Sequence, residues 1–413
     1  GGLSAGVVSA LSVAQFAAIA TDDFATLSTD AVAALTTAQV GVLTTAQVVA
    51  LSEDQSSVLT TAQVKALTTT QIAVFETADL AKLSTTHIQA LSTGAIASLT
   101  ADQFKTLSTD QLNTLTTGQI KALTTAQLVA LTTDQVGGLI AGMVSTLTTA
   151  QLAAMATDDF ATLSTAAMAA LTTAQVGGLT TAQVVALSED QAGVLTTAQV
   201  KALTTAQVAV FETADLAKLS TSHIQALSTG AVASLTADQF KTLSTDQLNA
   251  LTTVQIKGVS TDQLVALTTE QVAGLSTSVV SSLTTAQISA MATDDVAALS
   301  TDAVAAFTTA QIKGLTTAQV VALSEDQAGV LTTAQAKALT TEQIAVFETA
   351  DLAKLSTSHI QALSTGAIAN LTADQFKSLT TDQLNTLTTG QIKALTTAQL
   401  VALATEQAGG LSA

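Results

Sequence analysis

The chain predicts an all-α solenoid, a superhelix of short capped helices with one helix per octapeptide repeat. Three observations carry that expectation. A large apolar residue stands at position 3 and at every eighth position after it, through Leu11, Ile19, Leu27 and Leu35 to Leu403 and Leu411, and the phase never slips. The second residue of nearly every octad is Ser or Thr and the fifth is usually Gln, the spacing of a helix N-terminus. Eight residues also overshoot two α-helical turns by about 80°, so one long helix is excluded: its apolar stripe would spiral around the axis within about five octads.

The octad Leu43–Ala50 shows how each position works. Thr44 is the N-cap, its hydroxyl accepting from the amide of Gln47 while the Gln47 side chain reaches back to the Thr44 N–H. Leu43 precedes the cap and Val48 is the fourth helical residue, which makes them a hydrophobic staple. Charges follow the helix dipole, with Glu53, Asp54, Asp102 and Asp110 in first turns and Lys65, Lys105, Lys121 and Lys257 in last turns. All ten Phe fall at position 1 or 6 and are expected in the core. A helix of five or six residues is unstable alone, so octads must cover one another's apolar residues by stacking. The rival is a β-solenoid, since Thr and Val favour strands. It needs period-two alternation and turn residues at fixed places, whereas here apolar spacing alternates five and three and Gly keeps no fixed position.

A second period lies above the first. Leu51-Ser52-Glu53-Asp54-Gln55 recurs at 187–191 and 323–327, an offset of 136 residues or 17 octads. We expect one continuous solenoid of three blocks, 1–136, 137–272 and 273–408, with 409–413 repeating residues 1–5 as the start of a fourth. The absence of an initiator Met and of a polar capping octad at either end suggests a piece of something longer.

Composition narrows the function classes. The 413 residues contain no Pro, Cys, Trp, Tyr or Arg, and 31 acids against 13 Lys give a net charge of −18. That surface repels nucleic-acid phosphates and anionic membranes. Thr and Gln interrupt every apolar run, so no segment is expected to insert in a membrane. Without Cys there is no disulfide framework and no thiolate metal site.

Candidate sites are few. Asp22-Asp23, Asp158-Asp159 and Asp294-Asp295 are weak Ca²⁺ candidates; no D-x-D-x-D-G loop accompanies them, and acids in a helix first turn are the plainer reading. His87, His223 and His359 take the Gln position, where a capping or surface role is expected over a metal or pH-sensing one. Position 5 is apolar at Val7, Met143 and Val279 in the first octad of each block, a widened buried face or a seam. Glu76, Glu212 and Glu348 replace the Ser/Thr cap, and a local irregularity or an inter-chain contact is expected there because Glu caps poorly. No nucleophile stands beside a base, and no G-x-S-x-G, P-loop or H-E-x-x-H occurs, so neither an enzyme nor a cofactor is expected.

The run Leu-Thr-Thr-Ala-Gln-Val, as at 59–64 and 195–200, resembles the LTTAQ octads of very large, repetitive bacterial secreted or surface proteins. The resemblance covers the whole chain and implies an extracellular fibre, sheath, surface layer or adhesin stalk, with no functional residues to carry over. The nesting of octads in blocks is similar, in hierarchy only, to bacterial ice-nucleation proteins. The expectation is therefore a structural protein at the cell surface whose partner is itself. The alternatives are a Thr-rich scaffold for ice, glycan or mineral, and a spacer stalk.

Overall fold

In the computed structural model, which describes residues 2–410, the chain is all-helical. Fifty-one helices of four to six residues follow one another, one per octad, and no strand occurs among the described residues. The solenoid expectation holds and the β-solenoid does not. The chain forms two compact units, Gly1–Val210 and Phe211–Ala413, each built from the same octad. The start of a fourth block is described only for Gly409 and Gly410; residues 411–413 lie outside the described residues.

Local backbone chemistry explains why each helix starts and stops. Thr68, the cap of helix Thr69–Ala73, is extended at φ −77°, ψ 162°, and so is Leu67 before it at φ −61°, ψ 132°. Two extended residues thus separate consecutive helices. The helix closes when the N–H of the next octad's Leu donates to the position-6 carbonyl three residues back, as Leu67 does to Val64 at 3.2 Å. That is a 3₁₀-type closure, and it needs no left-handed residue. Among the described residues no backbone has positive φ, so Gly is not required to end any helix.

The core is the line of residues at positions 1 and 6. Leu43 is 6% exposed and Val48 is fully buried, as the staple predicts. All ten Phe are buried, none more than 4% exposed. A buried Leu and Val together contribute about 4 kcal/mol per octad, too little to order eight residues without the neighbouring coil.

The hydrogen bonds that join one coil to the next span 25 to 31 residues. One circuit of the solenoid is therefore a little more than three octads. Position 8 of a later octad comes down on position 3 of an earlier one. At Gly138, Gly258, Gly274 and Gly410 a Cβ would stand 2.6 Å from the Cγ2 of Thr109, Thr229, Thr245 and Thr381 respectively. This close approach suits Gly at these four positions, while many other octads end on Ala, Thr or Val.

Candidate functional site

The feature that most sets this chain apart chemically is a ladder of buried glutamines. Gln127 shows one rung. Its backbone N–H donates to Thr124 Oγ1 at 3.3 Å, and its Oε1 accepts the Thr124 N–H at 2.8 Å, completing the capping box. Its Nε2 then donates to the carbonyls of Ile96 at 2.7 Å and Leu99 at 2.9 Å, in the preceding coil. Gln263 repeats the pattern on Val232 and Leu235 at 2.9 and 2.7 Å. A primary amide offers an acceptor and two donors, and all three are used. The side chain is 1% exposed at Gln127, so each of these bonds is protected from water. The sequence-predicted Gln47 does the same work, accepting from Thr44 N–H at 3.0 Å and donating to Ile19 at 2.9 Å.

Besides the octads with Ala at position 5, such as Ala31 and Ala95, the exceptions to the ladder are of four kinds. In the seam octads Met143 and Val279 are buried, at 2% and 5% exposure, so an apolar residue at position 5 does widen the core there. Val7, in the seam octad of the first block, is 48% exposed. Without a Gln, the cap N–H of the second and third seam octads finds another partner. Asn113 Oδ1 accepts from Ile140 N–H at 3.0 Å and its Nδ2 donates to the Gly138 carbonyl at 2.9 Å. Asn249 does likewise, with Ser276 N–H at 2.7 Å and the Gly274 carbonyl at 2.9 Å. Sequence reasoning missed these two Asn; the signal was an Asn at position 7 standing 30 residues before Met143 and again before Val279.

The His octads are the second kind. His87 Nδ1 accepts from Ser84 N–H at 3.3 Å and His359 Nδ1 from Ser356 N–H at 3.1 Å, so the imidazole stands in for the Gln acceptor. Accepting at Nδ1 places the proton of the neutral ring on Nε2. Burial holds both imidazoles below the usual histidine pKa, favouring that neutral form. His223 also takes part in a capping box, with Ser220.

The third kind holds the paired aspartates. Asp22, Asp158 and Asp294 are exposed. Asp159 Oδ1 instead accepts from Thr133 Oγ1 at 2.8 Å and Asp295 Oδ1 from Thr269 Oγ1 at 3.1 Å, both one coil back. Asp23 is exposed. In the second and third pairs the two carboxylates therefore have different surroundings, and no group of three or more His, Cys, Asp or Glu among the described residues is placed to hold a metal ion. The caps of these octads are Ala20, Ala156 and Ala292, which make no side-chain cap bond.

The fourth kind corrects an expectation. Glu76, Glu212 and Glu348 make no cap bond, yet the helices they open, Thr77–Lys82, Thr213–Lys218 and Thr349–Lys354, are regular. Their φ and ψ, near −70° and 148°, are those of ordinary caps. The irregularity foreseen at Glu76 is absent because helix entry is fixed by the staple: Phe75 and Leu80 are both buried, and Leu80 N–H still reaches the Glu76 carbonyl at 3.0 Å. What is unusual lies three residues on. Asp79, Asp215 and Asp351 occupy the Gln position and are only 2% exposed.

No helix among the described residues is long and apolar enough to cross a membrane. Comparison with the curated proteins gives no match. The ALTTAQ repeat matches along nearly the whole sequence, over residues 16–53, 72–140, 152–205, 208–277, 288–341 and 344–413 in overlapping segments. A capped octad whose glutamine bonds both its own cap and the coil beneath gives that signature a physical meaning, and the chain belongs to the ALTTAQ repeat family.

Proposed function

We propose that this chain is a structural segment of a bacterial secreted or cell-surface protein, and that it self-associates into a fibre, sheath or surface layer. The supporting observation is the exposed surface, which recurs with the block. Val49, Val185 and Val321 are 44%, 43% and 43% exposed at equivalent positions, and Val129, Val265 and Val401 form a second such set. A contact that one block can make, every block can make, which favours open-ended association. The Ser/Thr caps and Gln amides are engaged inside the solenoid, so the reading assigns the chain no catalysis, no cofactor and no nucleic-acid partner.

Sedimentation of the full chain over a wide concentration range, with electron microscopy of the assembled material, tests this reading. Concentration-dependent growth into regular assemblies is expected, weakened by Val49→Asp, Val185→Asp and Val321→Asp together. A monodisperse monomer at millimolar concentration overturns it. A second reading rests on the position-3 threonines such as Thr45, Thr61 and Thr125, which are exposed. They would serve as a regular array for ice, glycan or mineral, or simply as the surface of a stalk; inhibition of ice recrystallisation tests the first of these.

A further inference from the structure

The buried Asp that replaces Gln in the Glu-capped octads poses a chemical problem. Gln supplies an acceptor to its own cap and donors to the coil beneath; a carboxylate supplies acceptors only. In the ladder register, the carbonyls 28 and 31 residues earlier are those of Leu51 and Val48 for Asp79, and of Leu323 and Val320 for Asp351. The Oδ2 atoms of Asp79 and Asp351 are buried and without a hydrogen-bond partner.

The surroundings are acidic. Helix Thr77–Lys82 packs on Glu53–Ser57, which carries Glu53 and Asp54, and against Ala101–Lys105, which carries Asp102 and Lys105. Its own charges are Glu76 and Lys82, and Lys82 is held by Glu53 at 3.4 Å; the next octad adds His87. Around Asp351 the matching groups are Glu325 and Asp326, Asp374 and Lys377, Glu348 and Lys354, with Glu342 and His359 in the flanking octads. Lys354 is likewise taken by Glu325, at 3.4 Å. Burial, with Glu76 and Glu53 near Asp79 and with Glu348 and Glu325 near Asp351, pushes both carboxyls up to about 6. The Ser56 hydroxyl pulls Asp79 the other way, and the Glu348 backbone does so for Asp351.

We propose that Asp79 and Asp351 are proton-binding sites: the neutral carboxyl takes the place of Gln, its Oδ2–H supplying the missing donor to the preceding coil, and loss of that proton loosens helices Thr77–Lys82 and Thr349–Lys354. The sign follows from linkage. The folded carboxyl binds its proton more tightly than the unfolded one, so the native state holds a proton between about pH 4 and 6 that the opened state has lost. Stability from this source is complete below that window and is lost as pH rises through it. The contacts between these helices and Glu53–Ser57 or Glu325–Gly329 are thus firmest in mild acid and weakest at neutral pH.

Hydrogen exchange of the full chain, followed by peptide across pH 4 to 8 and corrected for intrinsic rates, reads the opening directly. Thr86 distinguishes the first copy by mass from those with Ser222 and Ser358. The opening constant for residues 77–83 is expected to rise up to about tenfold per pH unit between pH 4 and 6 and then level off, while Thr125–Val129 shows no such slope. Asp79→Gln restores the family residue, and is expected to flatten the profile and slow opening at pH 7 by up to about a hundredfold. Asp102→Asn, at an exposed acid nearby, should leave the slope intact. A wild-type profile flat between pH 4 and 6, a slope that survives Asp79→Gln, or a slope abolished equally by Asp102→Asn overturns the proposal.

Discussion

The seam octads and the Glu-capped octads both lack the ladder Gln, and the molecule treats them differently. At the seams the whole neighbourhood has changed together. Met143 and Val279 fill the core, Asn113 and Asn249 bond the orphaned cap N–H from the coil beneath, and Gly138 and Gly274 let that coil approach. In the Glu-capped octads Asp79 and Asp351 remain buried, with one carboxylate oxygen lacking any hydrogen bond. The contrast separates the two jobs of Gln. The cap can be lost cheaply, since the Glu76 helix is regular without one. Losing the donation across coils requires a substitute donor, or leaves a buried polar atom unsatisfied.

The largest expected effect comes from making a seam without its compensation. Gln127→Leu would leave the Thr124 N–H and the carbonyls of Ile96 and Leu99 without this partner, and about 3 kcal/mol of local stability should disappear, read as faster exchange over residues 96–130. If the loss is under about 0.5 kcal/mol, the ladder is ornamental and the comparison fails. Next, Asn249→Ala should cost about 1 kcal/mol, measurable as a lower urea midpoint. Asn113→Ala should cost less, because both its bonds lie in an exposed setting whereas one of the two made by Asn249 is partly buried.

Smaller again is a pair of Gly changes. Gly258→Ala drives a Cβ to 2.6 Å from Thr229 Cγ2, whereas Gly142→Ala meets nothing within 4 Å. Both glycines sit in helices without positive φ, so the first should destabilise by about 1 kcal/mol and the second stabilise by about 0.5 kcal/mol. Thr229→Ser, which deletes the offending methyl, should rescue Gly258→Ala; failure to do so would relocate the coil contact. The smallest effect is expected for Lys82→Ala. Its ion pair with Glu53 joins side chains more than half exposed, and its removal should shift stability by under about 0.5 kcal/mol.

Much of this architecture could be read from eight residues. The period, the cap and the staple at Leu43, Thr44, Gln47 and Val48 lead to short helices that must stack, and those helices are present. The cross-coil half of the Gln role could not be read in the same way, because a capping box is satisfied equally by Glu. The clue was negative: Glu never occurs at position 5, although it occupies position 4 at Glu270 and Glu342. A carboxylate could cap but could not donate. Attention to Glu76 as the odd residue was likewise misplaced by three positions. An imperfect cap shows in sequence, whereas the burial of Asp79 depends on the coil beneath, which lies outside the octad. The spacing of coils was hidden for the same reason, since a period of eight says nothing about how many octads close a circuit.

The ladder also has a direction along the chain. Every cross-coil Gln amide donates to carbonyls 28 to 31 residues earlier and never to later ones. A chain emerging N-terminus first therefore meets each partner already made, and a new octad needs no downstream sequence to be fastened. At 5–20 residues per second, one rung would be completed on the order of once a second. Only the first circuit faces the entropic cost of closing a loop with nothing beneath it; each later octad adds eight residues to an existing template. Contacts this local keep contact order low however long the array grows. Such a protein could lengthen by whole octads, in evolution or in design, without folding more slowly.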